Sequence, residues 1–241
     1  MVPCFGDGAL YQPHSQILSK STPAKTRGAF RGTLIFSRLQ DTIAEAEFSI
    51  FVPENLITEI IAMKKITVIS TSLRQGSNSD MLADSFVEGA KAAGNNVRKI
   101  SLSGKEIQFC KGCLACQKLG RCVIADDVNA IMAEVLDSDV VVWATPIYYY
   151  EMSGQMKTLI DRMNAMYPLD YKFREVYLLA TAAEDEESTP KRAVQGLEGW
   201  IECYPESRLA GTIFCGGVNN MREIEGNPKL KAAYDLGRSI R

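Results

Sequence analysis

Two short stretches of this chain carry residue types whose spacing can do chemistry. In the first, Ser72-Leu-Arg-Gln-Gly-Ser-Asn-Ser79 follows the β-branched run Ile66-Thr-Val-Ile-Ser-Thr71. It precedes Leu82, Phe86, Gly89, Ala90 and Ala93 at helical spacing, so the turn joins a buried strand to a helix N-terminus. There, free N–H groups and the positive end of the helix dipole face whatever occupies the turn. Ser72, Ser77, Asn78 and Ser79 add small donors, and Arg74 adds a planar cation suited to two-point contact with a phosphate. A phosphomonoester fits that inventory. An ordinary strand-to-helix turn capped by Ser77 or Asn78 uses the same residue types, so the rest of the chain must separate the two readings.

The second stretch is Cys110-Lys-Gly-Cys-Leu-Ala-Cys-Gln-Lys-Leu-Gly-Arg-Cys122, with the spacing C-x2-C-x2-C-x5-C. Compact cysteine runs of this style ligate iron–sulfur clusters, and Gly112 and Gly120 permit tight turns between thiolates. Structural zinc, free thiols or a redox disulfide would use the same four residues, and the spacing leaves these open. The chain has seven cysteines, and four of them packed into one loop argue against a dispersed disulfide framework. Cys203 and Cys215 read as small buried hydrophobes. His14 is the only histidine, which excludes a Ser-His-Asp triad and a histidine-based metal site.

The elements that must position these groups begin at Met63. Residues 1–62 mix Pro3, Pro13 and Pro23 with short apolar pieces that keep no period. They read as an N-terminal extension, either weakly ordered or a misassigned start upstream of Met63. Lys20, Lys25, Arg27, Arg31 and Arg38 also permit an organelle transit peptide. From Met63 onward, strands at 66–71, 97–102, 139–144, 175–181 and 208–215 alternate with helical segments. Asp126 and Asp127 introduce one helix, Thr189 caps another before Pro190, and Asn227 with Pro228 starts the last. Met156, Leu159, Ile160 and Met163 share one helical face and read as core. This alternation predicts one α/β domain over 63–241, a five-stranded parallel sheet with helices on both faces. Ligands of such sheets lie beyond the C-terminal ends of the strands, which brings 72–79, 145–153 and the segment after 181 into one cleft.

The chain is 241 residues long with a formal net charge of -2, so it has no general electrostatic attraction for nucleic acid or an anionic membrane. No apolar run approaches the roughly 20 residues of a membrane-spanning helix. The first residues lack a charged region followed by an apolar one, so no secretory signal is visible and the cytoplasm is the expected location.

With both loops in view, the chain resembles the NAD(P)H-dependent FMN reductase family of flavodoxin-like proteins. The resemblance rests on residues 72–79 and on Pro146-Ile-Tyr-Tyr-Tyr-Glu-Met-Ser-Gly-Gln-Met-Lys-Thr-Leu-Ile-Asp-Arg162, and spans 63–241 without 1–62. It implies a flavodoxin-like three-layer sandwich in which Ser72, Arg74, Ser77, Asn78 and Ser79 hold the FMN phosphate. Thr145, Pro146, Ile147, Tyr148 and Tyr149 would form the bed for the isoalloxazine ring. It further implies NAD(P)H as electron donor, a quinone, another small-molecule acceptor or a redox protein as partner, and a homodimer or homotetramer. No protein acid or base is required, because the cofactor carries the chemistry. The cysteine loop resembles the iron–sulfur flavoprotein branch, in which such a quartet carries a 4Fe-4S cluster beside FMN, and this implies Cys110, Cys113, Cys116 and Cys122 as ligands. A non-enzymatic flavin and iron–sulfur carrier and a flavin-free zinc module are the competing classes. Three consecutive tyrosines also suit a subunit contact. One departure is Ala182-Ala183-Glu184-Asp185, where relatives often carry Gly for close backbone approach to the ring.

Overall fold

The computed structural model describes residues 63–241, and the expectations for 1–62 lie outside the described residues. The strands are β1 (Lys65–Ser70), β2 (Asn96–Ser101), β3 (Val140–Tyr148), β4 (Glu151–Met152), β5 (Glu175–Thr181) and β6 (Arg208–Cys215). Five of them pair in parallel in the order β2-β1-β3-β5-β6. This is the flavodoxin-type order, with its switch point between β1 and β3. The sixth, β4, is a two-residue antiparallel addition to β3, so the expected five parallel strands are present with one short appendage.

Strand alternation builds the two cores. Val140, Val142 and Ala144 of β3, with Tyr177 and Leu179 of β5, point to one face; Val141 and Trp143, with Val176, Leu178 and Ala180, point to the other. Helices α1 (Asn78–Ala92), α2 (Cys116–Leu119), α3 (Val128–Leu136), α4 (Gly154–Arg162), α5 (Lys191–Ile201) and α6 (Pro228–Ser239) complete the described fold. The first face packs on α1 and α6, and the second on α3, α4 and α5. The α1–α6 crossing is close because Gly89 lies under the Tyr234 carbonyl and Gly237 under that of Phe86; a methyl at either would collide with backbone. Met156, Leu159, Ile160 and Met163 are core, as expected.

Two expectations are corrected. β3 does not stop at Ala144 but runs on through Thr145 to Tyr148, because Glu151 and Met152 pair with its end. Thr189 does not cap α5. Pro190 holds the cap position in helical conformation, and the turn before it is closed by backbone bonds from Thr189 N to Glu186 O and from Lys191 N to Ser188 O.

Candidate functional site

The turn after β1 is an N-terminal anion cradle in its local geometry. Ser77 is the N-cap of α1, in extended conformation, and its Oγ accepts from Asp80 N at 3.3 Å and lies 3.0 Å from Ser79 Oγ. The N–H groups of Ser77, Asn78 and Ser79 thereby keep no intrahelical acceptor. Gly76 supplies the left-handed residue (φ +61) that turns the chain into the helix. Ser72, Arg74, Ser77 and Asn78 line one end of a cleft of about 170 Å³, whose other walls are Pro146, Ile147 and Tyr148, the segment Thr181, Ala182 and Ala183, and Val218 with Asn219. The predicted meeting of the loops after β1, β3 and β5 is therefore present.

Three expected cofactor residues stand back from the cleft. Ser79 is fully buried beneath Ser77. Thr145 is also fully buried, its hydroxyl donating to Ser153 Oγ at 3.1 Å and accepting from Ser153 N at 3.1 Å, which fixes the start of α4 under the cleft. Tyr149 sits at the tip of the β3–β4 hairpin, 96% exposed. Tyr149 and Tyr150 both have positive φ, +52 and +66, as a two-residue primed turn requires. Such turns normally take Asn-Gly, and two aromatic residues there store about 1–2 kcal/mol each. Strain of this kind collects where the chain presents side chains for function.

The cysteine loop is held at its base. The side chains of Arg162, at the end of α4, and Asp126, at the start of α3, are completely buried and form a bidentate pair at 2.7 and 2.9 Å. Arg162 Nη1 also donates to Gln108 O at 2.6 Å, while Asp126 accepts from Gln108 N and Val128 N. Burial pushes the Asp126 carboxyl up, but the Arg162 bond and these two N–H donors outweigh it and hold the group below its ordinary range. Burial likewise works against the Arg162 charge, and Asp126 followed by Cys122 more than restores it. Asn129 brackets Cys122 through both its backbone N and O, and Asn164 Nδ2 donates to Cys116 Sγ at 3.4 Å.

Above that base the thiols do not converge. Cys110 and Cys113 are exposed and Cys116 and Cys122 half-buried. No three His, Cys, Asp or Glu side chains among the described residues are arranged to hold a metal ion. The expected ligand set of Cys110, Cys113, Cys116 and Cys122 is thus not assembled. Cys110 lines a cavity of about 600 Å³ floored by Trp200 of α5, while Cys122 lies against Arg162. Cys203 is also corrected, being half-buried on the wall of that cavity, whereas Cys215 is buried as expected and burial pushes its thiol up.

Residues 64–201 match the model of a family described as NADPH-dependent FMN reductase. This chain belongs to the NADPH-dependent FMN reductase family. Similar proteins include an iron–sulfur flavoprotein of Archaeoglobus fulgidus, 38% identical over 42% of this chain and 46% of its own length. Another, an iron–sulfur flavoprotein of Methanosarcina thermophila, is 27% identical over 68% of this chain and 83% of its own. The match spans about half the length of several of these curated relatives. Among solved structures, a NAD(P)H:quinone oxidoreductase of Methanothermobacter marburgensis superposes with a TM-score of 0.56 at 16% identity, covering 75% of this chain and all of that one. That likeness carries the fold.

Within this family member, sequence reasoning missed the segment after β6. Asn78 Nδ2 donates to Asn220 O at 2.9 Å and its Oδ1 accepts from Ile224 N at 3.2 Å, while Arg74 Nη1 donates to Asn219 O at 2.7 Å. The Asn78 side chain is therefore committed to holding this fourth wall in place. The signal was Gly216-Gly217. Gly217 has φ +67, and Gly216 packs so tightly on Asp185 and the Glu184 carbonyl that no Cβ fits. This contact packs the start of the segment after β6 against the loop after β5.

Proposed function

We propose that this protein is an FMN-dependent NAD(P)H oxidoreductase that passes electrons to a quinone or another small-molecule acceptor. One observation carries the reading: phosphate-type donors at 72–78 and the flat Pro146-Ile147-Tyr148 wall face each other across one cleft at the C-terminal ends of the strands. FMN has a phosphate at one end and an apolar tricycle at the other, and the donor set suits both. When bound, FMN supplies hydride acceptance from the nicotinamide and onward electron transfer. The protein's own part is to hold and orient. The N–H groups of Ser77 and Asn78 and the Ser72 hydroxyl would receive the phosphate, with the Arg74 guanidinium at their edge. Pro146, Ile147 and Tyr148 support the ring and shield it from water on one side.

A 4Fe-4S cluster at the cysteine loop is the finer reading. The thiol spacing and the names of the archaeal relatives favour it, and the separated thiols do not fit one, so no electron step is routed through the loop. Subunit association through the tyrosine tip and a cytoplasmic location belong to the same proposal; no helix among the described residues is long and apolar enough to cross a membrane. The test is to purify the protein, assay bound FMN and follow oxidation of NADPH with a quinone. Retained FMN with turnover supports the reading. Retained FMN that neither NADPH nor NADH can reduce would leave an electron carrier.

A further inference from the structure

The segment after β6 grips the phosphate turn as well as walling the cleft. It is anchored at both ends. Val218 is buried and its N–H donates to Ala182 O at 2.9 Å, and Ile224 is fully buried in the first core. Between these anchors the exposed residues 219–223 form a strap against the turn after β1 and meet three of its residues. Arg74 Nη1 and Asn78 Nδ2 donate to the consecutive carbonyls of Asn219 and Asn220, at 2.7 and 2.9 Å, and Arg222 N donates to Gly76 O at 3.1 Å. Arg222 holds a left-handed backbone (φ +60) against the left-handed Gly76 (φ +61), a conformation that favours glycine and that these surroundings impose.

One carboxylate sets the geometry of the strap. Glu223 Oε2 accepts from both Asn219 N and Asn220 N at 2.6 Å. The Asn220 N–H and the Asn219 carbonyl belong to a single planar peptide and point in opposite directions. Glu223 on one side of that peptide therefore aims the carbonyl at Arg74 on the other. The two N–H donors, Asn220 first, hold the Glu223 carboxyl below its ordinary range, and the Arg74 charge adds to this. A long exposed side chain loses rotamer freedom when it grips a ligand. The bond to Asn219 O orders Arg74 in advance and occupies one of the five N–H donors of its guanidinium.

We propose that Glu223 is a positioning residue for phosphate recognition: by fixing the Asn219–Asn220 peptide it holds the Arg74 guanidinium at the phosphate end of the cleft, so that the site distinguishes a flavin with a terminal phosphate from the same flavin without one. The inference rests on the cofactor reading above and adds to it a residue that does not line the cleft. Charge alone predicts the opposite effect for this residue, since removing a carboxylate from the neighbourhood of a phosphate favours the phosphate.

The experiment titrates the full chain, freed of flavin, with FMN and with riboflavin, and reads the ratio of the two affinities. FMN should bind the unaltered protein more tightly. Glu223→Ala should lower the ratio by about two- to tenfold, the range for ordering one rotamer-rich side chain on binding, and leave riboflavin affinity unchanged. Glu223→Gln keeps an oxygen acceptor for both N–H groups and should retain the ratio. In an Arg74→Ala background, Glu223→Ala should not change the ratio further. Equal affinities for the two flavins in the unaltered protein would overturn the proposal. So would a ratio that Glu223→Ala leaves unchanged or raises, a Gln variant as impaired as the Ala variant, or an Ala effect that persists in full without Arg74. If neither flavin binds the unaltered protein, the cofactor reading fails and inorganic phosphate, followed through the amide resonances of Ser77 and Asn78, decides the role of Glu223. Weaker phosphate binding in Glu223→Ala would then uphold it, and equal binding would overturn it.

Discussion

Arg74 combines two tasks that the sequence presents as one. Its guanidinium stands at the phosphate end of the cleft and also ties the turn to Asn219 of the β6 loop. Arg74→Ala should weaken FMN binding by about tenfold, the lower end of a charge-assisted bond because the side chain is exposed. Equilibrium titration of the apoprotein with FMN checks this, and unchanged affinity would remove Arg74 from the site. The donors in this turn were legible because their types and order are local. The partners of Asn78 were not, since Asn220 and Ile224 lie more than 140 positions away and nothing near Asn78 signals them. Tyr149 and Tyr150 present the converse case. They read as loop aromatics, but they adopt the backbone of an Asn-Gly turn. Replacing Tyr149 by Asn together with Tyr150 by Gly should raise stability in urea by about 1 kcal/mol through relief of strain. A loss of stability would show that the two rings make packing contacts worth more than the strain.

Among the elements, strands were easiest to read. Val140 to Trp143 and Val176 to Leu179 are β-branched or large and apolar because both sheet faces are covered, and that leaves a continuous signal. The extension of β3 to Tyr148 was not legible, because Pro146 usually ends a strand and β4 is only two residues long. The clamp beneath the cysteine loop was equally hidden, joining Asp126 to Arg162 across 36 positions. Asp126→Asn leaves the Arg162 charge buried and unpaired, which should cost about 3–5 kcal/mol. For a domain of this size that is a fall of roughly 10 °C in Tm by calorimetry. The pH dependence has a definite sign. Asp126 is held below its ordinary value near 3.8, so its contribution is present above that pH and is lost as pH falls through the folded value. The unaltered protein should therefore lose stability more steeply than the Asn variant as pH falls below about 4. Parallel acid unfolding curves for the two would contradict this assignment.

For the whole molecule, the described residues 63–241 contain two cores, a complete parallel sheet and all four walls of the cleft. A chain beginning at Met63 should fold and take up FMN, as circular dichroism and flavin analysis would show; an insoluble product would make residues 1–62 part of the domain. The alternation of strands and helices made the fold readable, and the rule that ligands gather at strand C-termini made the cleft readable. The arrangement of the cysteine loop was not, because spacing states which thiols can meet and not whether the loop between them closes. The most direct test of the account is an anaerobic titration of the FMN-loaded protein with NADPH, followed through the visible flavin band. Complete bleaching at one NADPH per FMN is expected, with the band restored by a quinone. Protein that binds no FMN at all, under conditions where it is folded, would contradict it.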